Sequence, residues 1–427
     1  MTNPLLTMDS LPPFSQIQPD QVQPAVTQAI ADCKQKIEDV LAQKEPHTWD
    51  SLIAPLEEVN DRLSRIWSPI SHLNAVQNSE ALRAAHDACL PLLSEFQTYV
   101  GQHEGLYQAY LALSESDDFP RLDDAQRKEI LNTLRDFRLS GIGLPAEAQQ
   151  RYGEIQARLS ELASRFSNNV LDATQGWHKL VTDEAELAGL PASAQAAARQ
   201  MAELKGKEGW LFTLDIPSYL PVMMYADSRA LRAELYEAFT TRASDQGPNA
   251  GKWDNSAIMT ELLTLRRELA RLLGFANYAE LSLATKMADK PEQVVEFLTD
   301  LAAKSLPQGK AELEEIRAFA AEQHGQDELA AWDLAYYAEK LKQHKFSVSD
   351  EQLRPYFPAG RVVKGLFEVV KRVFGMKVRE RLGIDTWHPD VRFYDIFDAD
   401  DELRGSFYLD LYAREHKQGG AWMDVCL

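Results

Sequence analysis

Apolar residues recur at steps of three and four through most of this chain, and that period commits it to helices before any other feature is considered. The longest such stripe begins at Ala146 and runs to about Leu171. Tyr152, Ile155, Leu159, Leu162, Phe166 and Val170 hold one face over roughly seven turns at about 3.6 residues each. Gly143-Leu144-Pro145 punctuates its entry. Earlier stretches repeat the pattern. Val26, Ile30, Cys33, Ile37 and Leu41 mark a helix over Pro24–Gln43, and Leu52, Leu56, Val59, Leu63 and Ile66 mark one over Ser51–Trp67. Glu80–Gly101 and Gln126–Leu139 follow suit. Later helices are expected over Asn255–Leu273, ended by Gly274, and over Pro291–Gln323, Glu328–Gln343 and Val362–Val373.

Two regions break the period. Leu211–Ile216 reads as a short strand that Pro217 ends, after which Asp227-Ser228 opens a helix with Ser228 as its cap. Val391–Phe397 and Gly405–Tyr412 are aromatic and β-branched runs joined by an acidic turn, Asp398 to Arg404, and read as a β-hairpin. The turn lacks the glycine and glutamate of a calcium loop and is expected to be solvated.

A net charge of −20 argues against nucleic acid, whose phosphates need clustered Lys and Arg. Cys33, Cys89 and Cys426 are widely spaced without a CxxC pair, so a reducing compartment is expected over a disulfide framework. The start of the chain lacks a basic region followed by an apolar one, and no run approaches 18 apolar residues. These features together lead to an expectation of a cytoplasmic protein with no membrane partner.

Several segments, in order, resemble the thimet/neurolysin family of zinc oligopeptidases. They are Leu11–Val26 with its prolines, Ile66–Asn74, Tyr152–Asp172, Ile216–Arg242, Leu262–Ala288, Trp332-Asp333 with Tyr336-Tyr337, and Gly405–Trp422 (GSFYLDLYAREHKQGGAW). The resemblance implies a mostly α-helical, two-lobed neurolysin-like architecture flanking a deep channel, here incomplete, with a short β-hairpin near the C-terminus. The implied divisions are 1–145, an N-terminal helical region; 146–245, part of the second lobe; 246–390, channel wall; and 391–427, hairpin and edge strand. It further implies a zinc cofactor, short oligopeptides as substrates (signal-peptide fragments among them), and cleavage by metal-activated water.

That chemistry needs two histidines four residues apart on one helix, a glutamate beside the first, and a further carboxylate. None of the nine histidines has a partner four residues on. His103-Glu104 is the nearest imitation, with Tyr107 in the second ligand's place, and is expected to cap or face solvent. His388, before Pro389, is expected to be a structural hydrogen-bonder. Neither a nucleophile elbow nor a phosphate loop is present. The expectation is that catalytic and metal residues are absent from this chain, that it is inactive alone, and that its partner is the missing C-terminal portion of the same enzyme. The implied substrate-binding residues are Gly419, Gly420, Ala421 and Trp422, an edge strand along which a peptide backbone could lie. The other reading of those four is a glycine turn with Trp422 in the core. The other reading of the whole chain is a non-enzymatic helical module that binds peptides or proteins.

Overall fold

A computed structural model describes residues 3–8, 10–44 and 46–425; Cys426 and Leu427, at the end of the last expected division, lie outside the described residues. The first half is a stack of helices: α1 (Pro19–Leu41), α2 (Ala54–Val76), α3 (Glu80–Gly101), α4 (Glu104–Ser114), α5 (Asp124–Leu139) and α6 (Ala146–Gln175). Their starts are fixed locally. Gln126 N–H donates to Asp123 Oδ1 at 2.8 Å while the Gln126 side chain receives the Asp123 N–H at 3.1 Å, which satisfies two amides that a helix start leaves open. Ser79 caps α3 in the same sense, accepting from Leu82 N–H at 3.2 Å. The expected stripe of α1 is its buried face, Val26, Ile30, Cys33 and Ile37. It packs on Leu56, Leu63, Ile66 and Ile70 of α2 and on α3.

Helix α6 is 30 residues long, about 45 Å at 1.5 Å per residue. Its Tyr152, Ile155 and Leu162 pack on Ile258, Leu265 and Leu269 of a later helix. Two bidentate pairs flank that seam, Arg151–Glu268 (2.7 and 2.9 Å) and Arg158–Glu261 (2.6 and 2.9 Å). They are half-exposed, so they align the helices more than they hold them.

After α6 come β1 (His178–Val181), α7 (Ala192–Leu204), β2 (Trp210–Thr213), α8 (Ile216–Tyr225) and α9 (Arg229–Thr240). β1 and β2 pair antiparallel, with His178 opposite Thr213. The expected strand is therefore present but shorter. Pro217 does not end it; it stands in the first turn of α8, where its missing N–H costs nothing. Ser228 caps α9 as expected, accepting from Leu231 N–H at 3.3 Å. Next follow α10 (Ser256–Leu272), α11 (Tyr278–Leu283), α12 (Pro291–His324), α13 (Ala331–Phe346), α14 (Asp350–Leu353) and α15 (Ala359–Phe374). A buried ion pair joins α9 to α13: Arg232 donates to Asp333 Oδ1 at 2.8 Å and to the Ala226 carbonyl at 2.6 Å, and its guanidinium lies 4.0 Å from the Tyr336 ring.

The chain then forms a three-stranded antiparallel sheet, β3 (Lys377–Glu380), β4 (Arg392–Phe397) and β5 (Leu403–Leu409), in the order β3-β4-β5. The expected hairpin is β4–β5, and β3 adds a third strand beside β4. The acidic turn between β4 and β5 is neutralised by its own amides and Arg404 and by two cations of β3. Asp398 accepts from the Asp400 and Glu402 N–H groups and from Arg404, and Asp401 accepts from Lys377 and Arg379. The sheet folds back onto the first helical region. Trp387 and Val391 join the core of α1–α5, and Phe14 stacks edge-on against Trp387 (4.9 Å) and Tyr408 (5.6 Å). Gly419–Trp422 pairs with no strand and runs as irregular backbone, so the edge strand expected there is absent from the described structure.

Candidate functional site

The segment after β5 carries the four residues singled out for peptide binding, and one carboxylate organises it. Asp410 accepts from Trp387 Nε1 at 2.9 Å and from Arg414 through both terminal nitrogens at 2.7 and 2.8 Å, and it pairs with Lys417 at 3.0 Å. Burial opposes its ionisation, yet the bonds from Arg414, Trp387 and Lys417 prevail and hold the carboxyl at about 2. The same segment is tied to the end of α2. Arg414 donates to the Val76 carbonyl (3.0 Å), Gln418 N–H to the Ala75 carbonyl (2.7 Å), and Asn78 N–H to the His416 carbonyl (2.9 Å). On its other side Glu415 pairs with Lys205, just past α7, at 2.8 Å. Residues 410–418 thus bridge the first helical region and the end of α7.

Beyond the bridge, Gly419 and Gly420 are exposed, and a Cβ built on either would meet nothing within 4 Å. Gly420 has φ +102°, a conformation that side-chain-bearing residues rarely adopt. Trp422 is 41% exposed and meets the His72 ring edge-on at 5.7 Å, so it is not a core residue. His72 also faces Phe14 (5.8 Å) and Trp387 (4.1 Å). Its Nε2 is buried without a hydrogen-bond partner, and burial pushes its pKa down to about 4. The structure therefore brings Gly419–Trp422 beside a neutral, aromatic-walled histidine. The Asp410 and His72 cluster was not legible as a unit, because its members lie in sequence from Phe14 to Trp422.

A groove of about 540 Å³ opens between α15 and the sheet. Phe367, Tyr394 and Tyr412 give it aromatic walls, and Lys364, Arg392, Glu380 and Asp390 also line it. The histidines judged structural behave so. His103 Nδ1 accepts from Leu106 N–H at 3.2 Å as the cap of α4, and His388 Nδ1 accepts from Asp390 N–H at 3.2 Å. Among the described residues no three His, Cys, Asp or Glu side chains gather in a group that could hold a metal ion. The described residues do not fit a zinc centre. Cys33 and Cys89 are buried free thiols.

Two family models match this chain. One, peptidase family M3, matches residues 222–427, and the other, the N-terminal domain of neurolysin and thimet oligopeptidase, matches residues 26–149. Together the two matches take in most of the chain, which is similar to the N-terminal part of proteins of this peptidase family. In particular it is similar to Oligopeptidase A of Salmonella typhimurium and of Escherichia coli, at 64% identity over all of this chain and 63% of each relative. It is also 38% identical to the organellar oligopeptidase A of Arabidopsis thaliana, over 99% of this chain and 54% of that relative. The chain thus spans less than two thirds of the length of these relatives.

Proposed function

We propose that these 427 residues are the N-terminal portion of a cytoplasmic zinc metallo-endopeptidase that hydrolyses short oligopeptides, signal-peptide fragments among them. The observation that carries this reading is the unbroken 64% identity to Oligopeptidase A along the whole chain. In this reading the helices form wall and lobe, Gly419–Trp422 flanks the peptide, and zinc, its ligands and the general base belong to sequence outside these residues. Gly419 and Gly420 suit the task because a peptide backbone can approach where no Cβ intervenes.

Exposed apolar surface supports the same reading. Among the described residues, Leu131 is the single large apolar side chain before residue 204 that stands exposed, whereas later helices carry whole stripes. Val362, Leu366, Val369 and Val373 line one face of α15, and Val294, Leu298 and Leu301 line one face of α12. Such continuous patches mark contact surfaces. We assign them to docking of the remaining portion of the enzyme.

Activity decides the matter. The 427-residue chain with added zinc should leave a short quenched peptide intact, while a product read through the codon for Leu427 should cleave it and lose that turnover to a chelator. Chelator-sensitive hydrolysis by the 427-residue chain alone would overturn the assignment. A stably expressed protein that ends at Leu427 and binds peptide without cleaving it would favour the binding-module reading instead.

A further inference from the structure

A small basic cradle stands against residues 410–418, in a protein of net charge −20. Lys207 Nζ lies 2.7 Å from His178 Nε2. An ammonium can only donate, so Nε2 accepts and the ring proton sits on Nδ1, a further donor. Lys205 and Lys207 stand in one turn after α7, where Gly206 N–H donates to the Glu203 carbonyl and Lys207 N–H to the Ala202 carbonyl; burial first, and then these two cations, hold His178 below the usual imidazole range. The turn that presents the lysines is built for it. Gly209 has φ +113°, and a Cβ there would come within 2.4 Å of the Val181 carbonyl, which locks β2 against β1 just after Lys207. Glu415 occupies the cradle through Lys205, and both partners are about half-exposed, at 55% and 44%.

We propose that Lys205, Lys207 and His178 form a carboxylate-binding cradle in which Glu415 holds the place that a carboxylate of a bound peptide can take. This rests on the reading that the chain binds peptides. An exposed ion pair of this kind is weak enough to exchange, because water screens it and two long side chains must be held in one geometry. Exchange leaves residues 410–418 attached to α2 through Arg414, Gln418 and Asn78 and releases them from α7. Occupancy of the cradle by peptide therefore changes what holds Gly419–Trp422 in place.

The test is direct binding to the immobilised 427-residue chain, independent of hydrolysis. The probes are one short peptide as its free acid, the same peptide as its C-terminal amide, and the amide with one internal glutamate. The free acid should bind about three- to tenfold tighter than the amide. If the internal glutamate restores that gain, a side-chain carboxylate serves as well as the terminal one; if not, the cradle reads the chain end. K207A and K205A should each reduce the advantage, with their fold checked by circular dichroism. E415Q should increase the affinity for the free acid about two- to fivefold, the factor an exposed pair is worth. Equal binding of acid and amide, or an advantage untouched by K207A and K205A, would overturn the cradle while leaving peptide binding intact. No binding of any probe would remove both.

Discussion

Trp387 donates its indole N–H to Asp410 at 2.9 Å, and through that bond the stem of the sheet holds the segment that follows it. Both lie against the first helical region, Trp387 in its core and Asp410 through Arg414 to the Val76 carbonyl. Loss of the carboxylate would leave Arg414 and Lys417 facing one another, with side chains only 17% and 10% exposed. Asp410→Ala should therefore cost about 3–5 kcal/mol, the range for breaking a buried pair from one side. Trp387→Phe, which removes one donor and keeps the ring, should cost about 1 kcal/mol. Urea unfolding followed by tryptophan emission checks the first and circular dichroism the second; a D410A change below about 1 kcal/mol would contradict the hub.

Acid should loosen this segment in two stages, and the signs follow from the shifts. His72 has its folded pKa lowered from 6.5 to about 4, so below pH 6.5 the unfolded chain takes up a proton that the folded one refuses. Stability should fall between pH 6.5 and about 4, by an amount on the order of 3 kcal/mol. Asp410, lowered from 3.8 to about 2, contributes stability above pH 3.8 that is lost as pH falls towards 2. His72→Phe should flatten the first stage and spare the second. A stability profile that is level from pH 6.5 to 4 in the unaltered protein would refute the assignment to His72.

Asp333 is fully buried and accepts from Arg229 and from Arg232, whose side chain is 2% exposed. Burial raises the cost of its charge, but the arginine bonds win and keep the carboxyl below its ordinary range. Asp333→Ala should destabilise by about 3–5 kcal/mol, since Arg232 would be left as an uncompensated buried charge. Arg151→Ala, at a half-exposed pair, should cost no more than about 1 kcal/mol. Equal effects of the two substitutions in thermal or urea unfolding would show that burial does not set the difference.

The stripe on α15 should drive self-association of the 427-residue chain at micromolar concentration. Placing charge on it, as in Leu366→Glu with Val369→Glu, should shift the chain towards monomer without loss of helix signal. Sedimentation velocity reads this outcome directly. A clean monomer of the unaltered chain, unfolding cooperatively, would contradict the docking role given to that face.

The expected helices appear because their evidence is local. A period of 3.6 and a terminating Gly274 act within a few residues, so α3, α5 and α10 run close to where the apolar spacing puts them. The short elements escaped for the same reason. Four-residue β1 and β3 carry too little pattern, and Pro217 is compatible with either a strand end or a helix start until the following turn is seen. At the candidate site, the residue types of Gly419–Trp422 were legible, but their conformation was not. A strand needs a partner to satisfy its backbone, and none pairs with them among the described residues.

What the sequence determined by itself was helical character, the hairpin, the family and the lack of any HxxxH pair. What the tertiary structure decided was which distant residues meet. Phe14, His72, Trp387 and Asp410 come together because Trp387 and Val391, between β3 and β4, bury themselves on the first helices, and non-local burial of that kind leaves no mark in the spacing of the residues it joins.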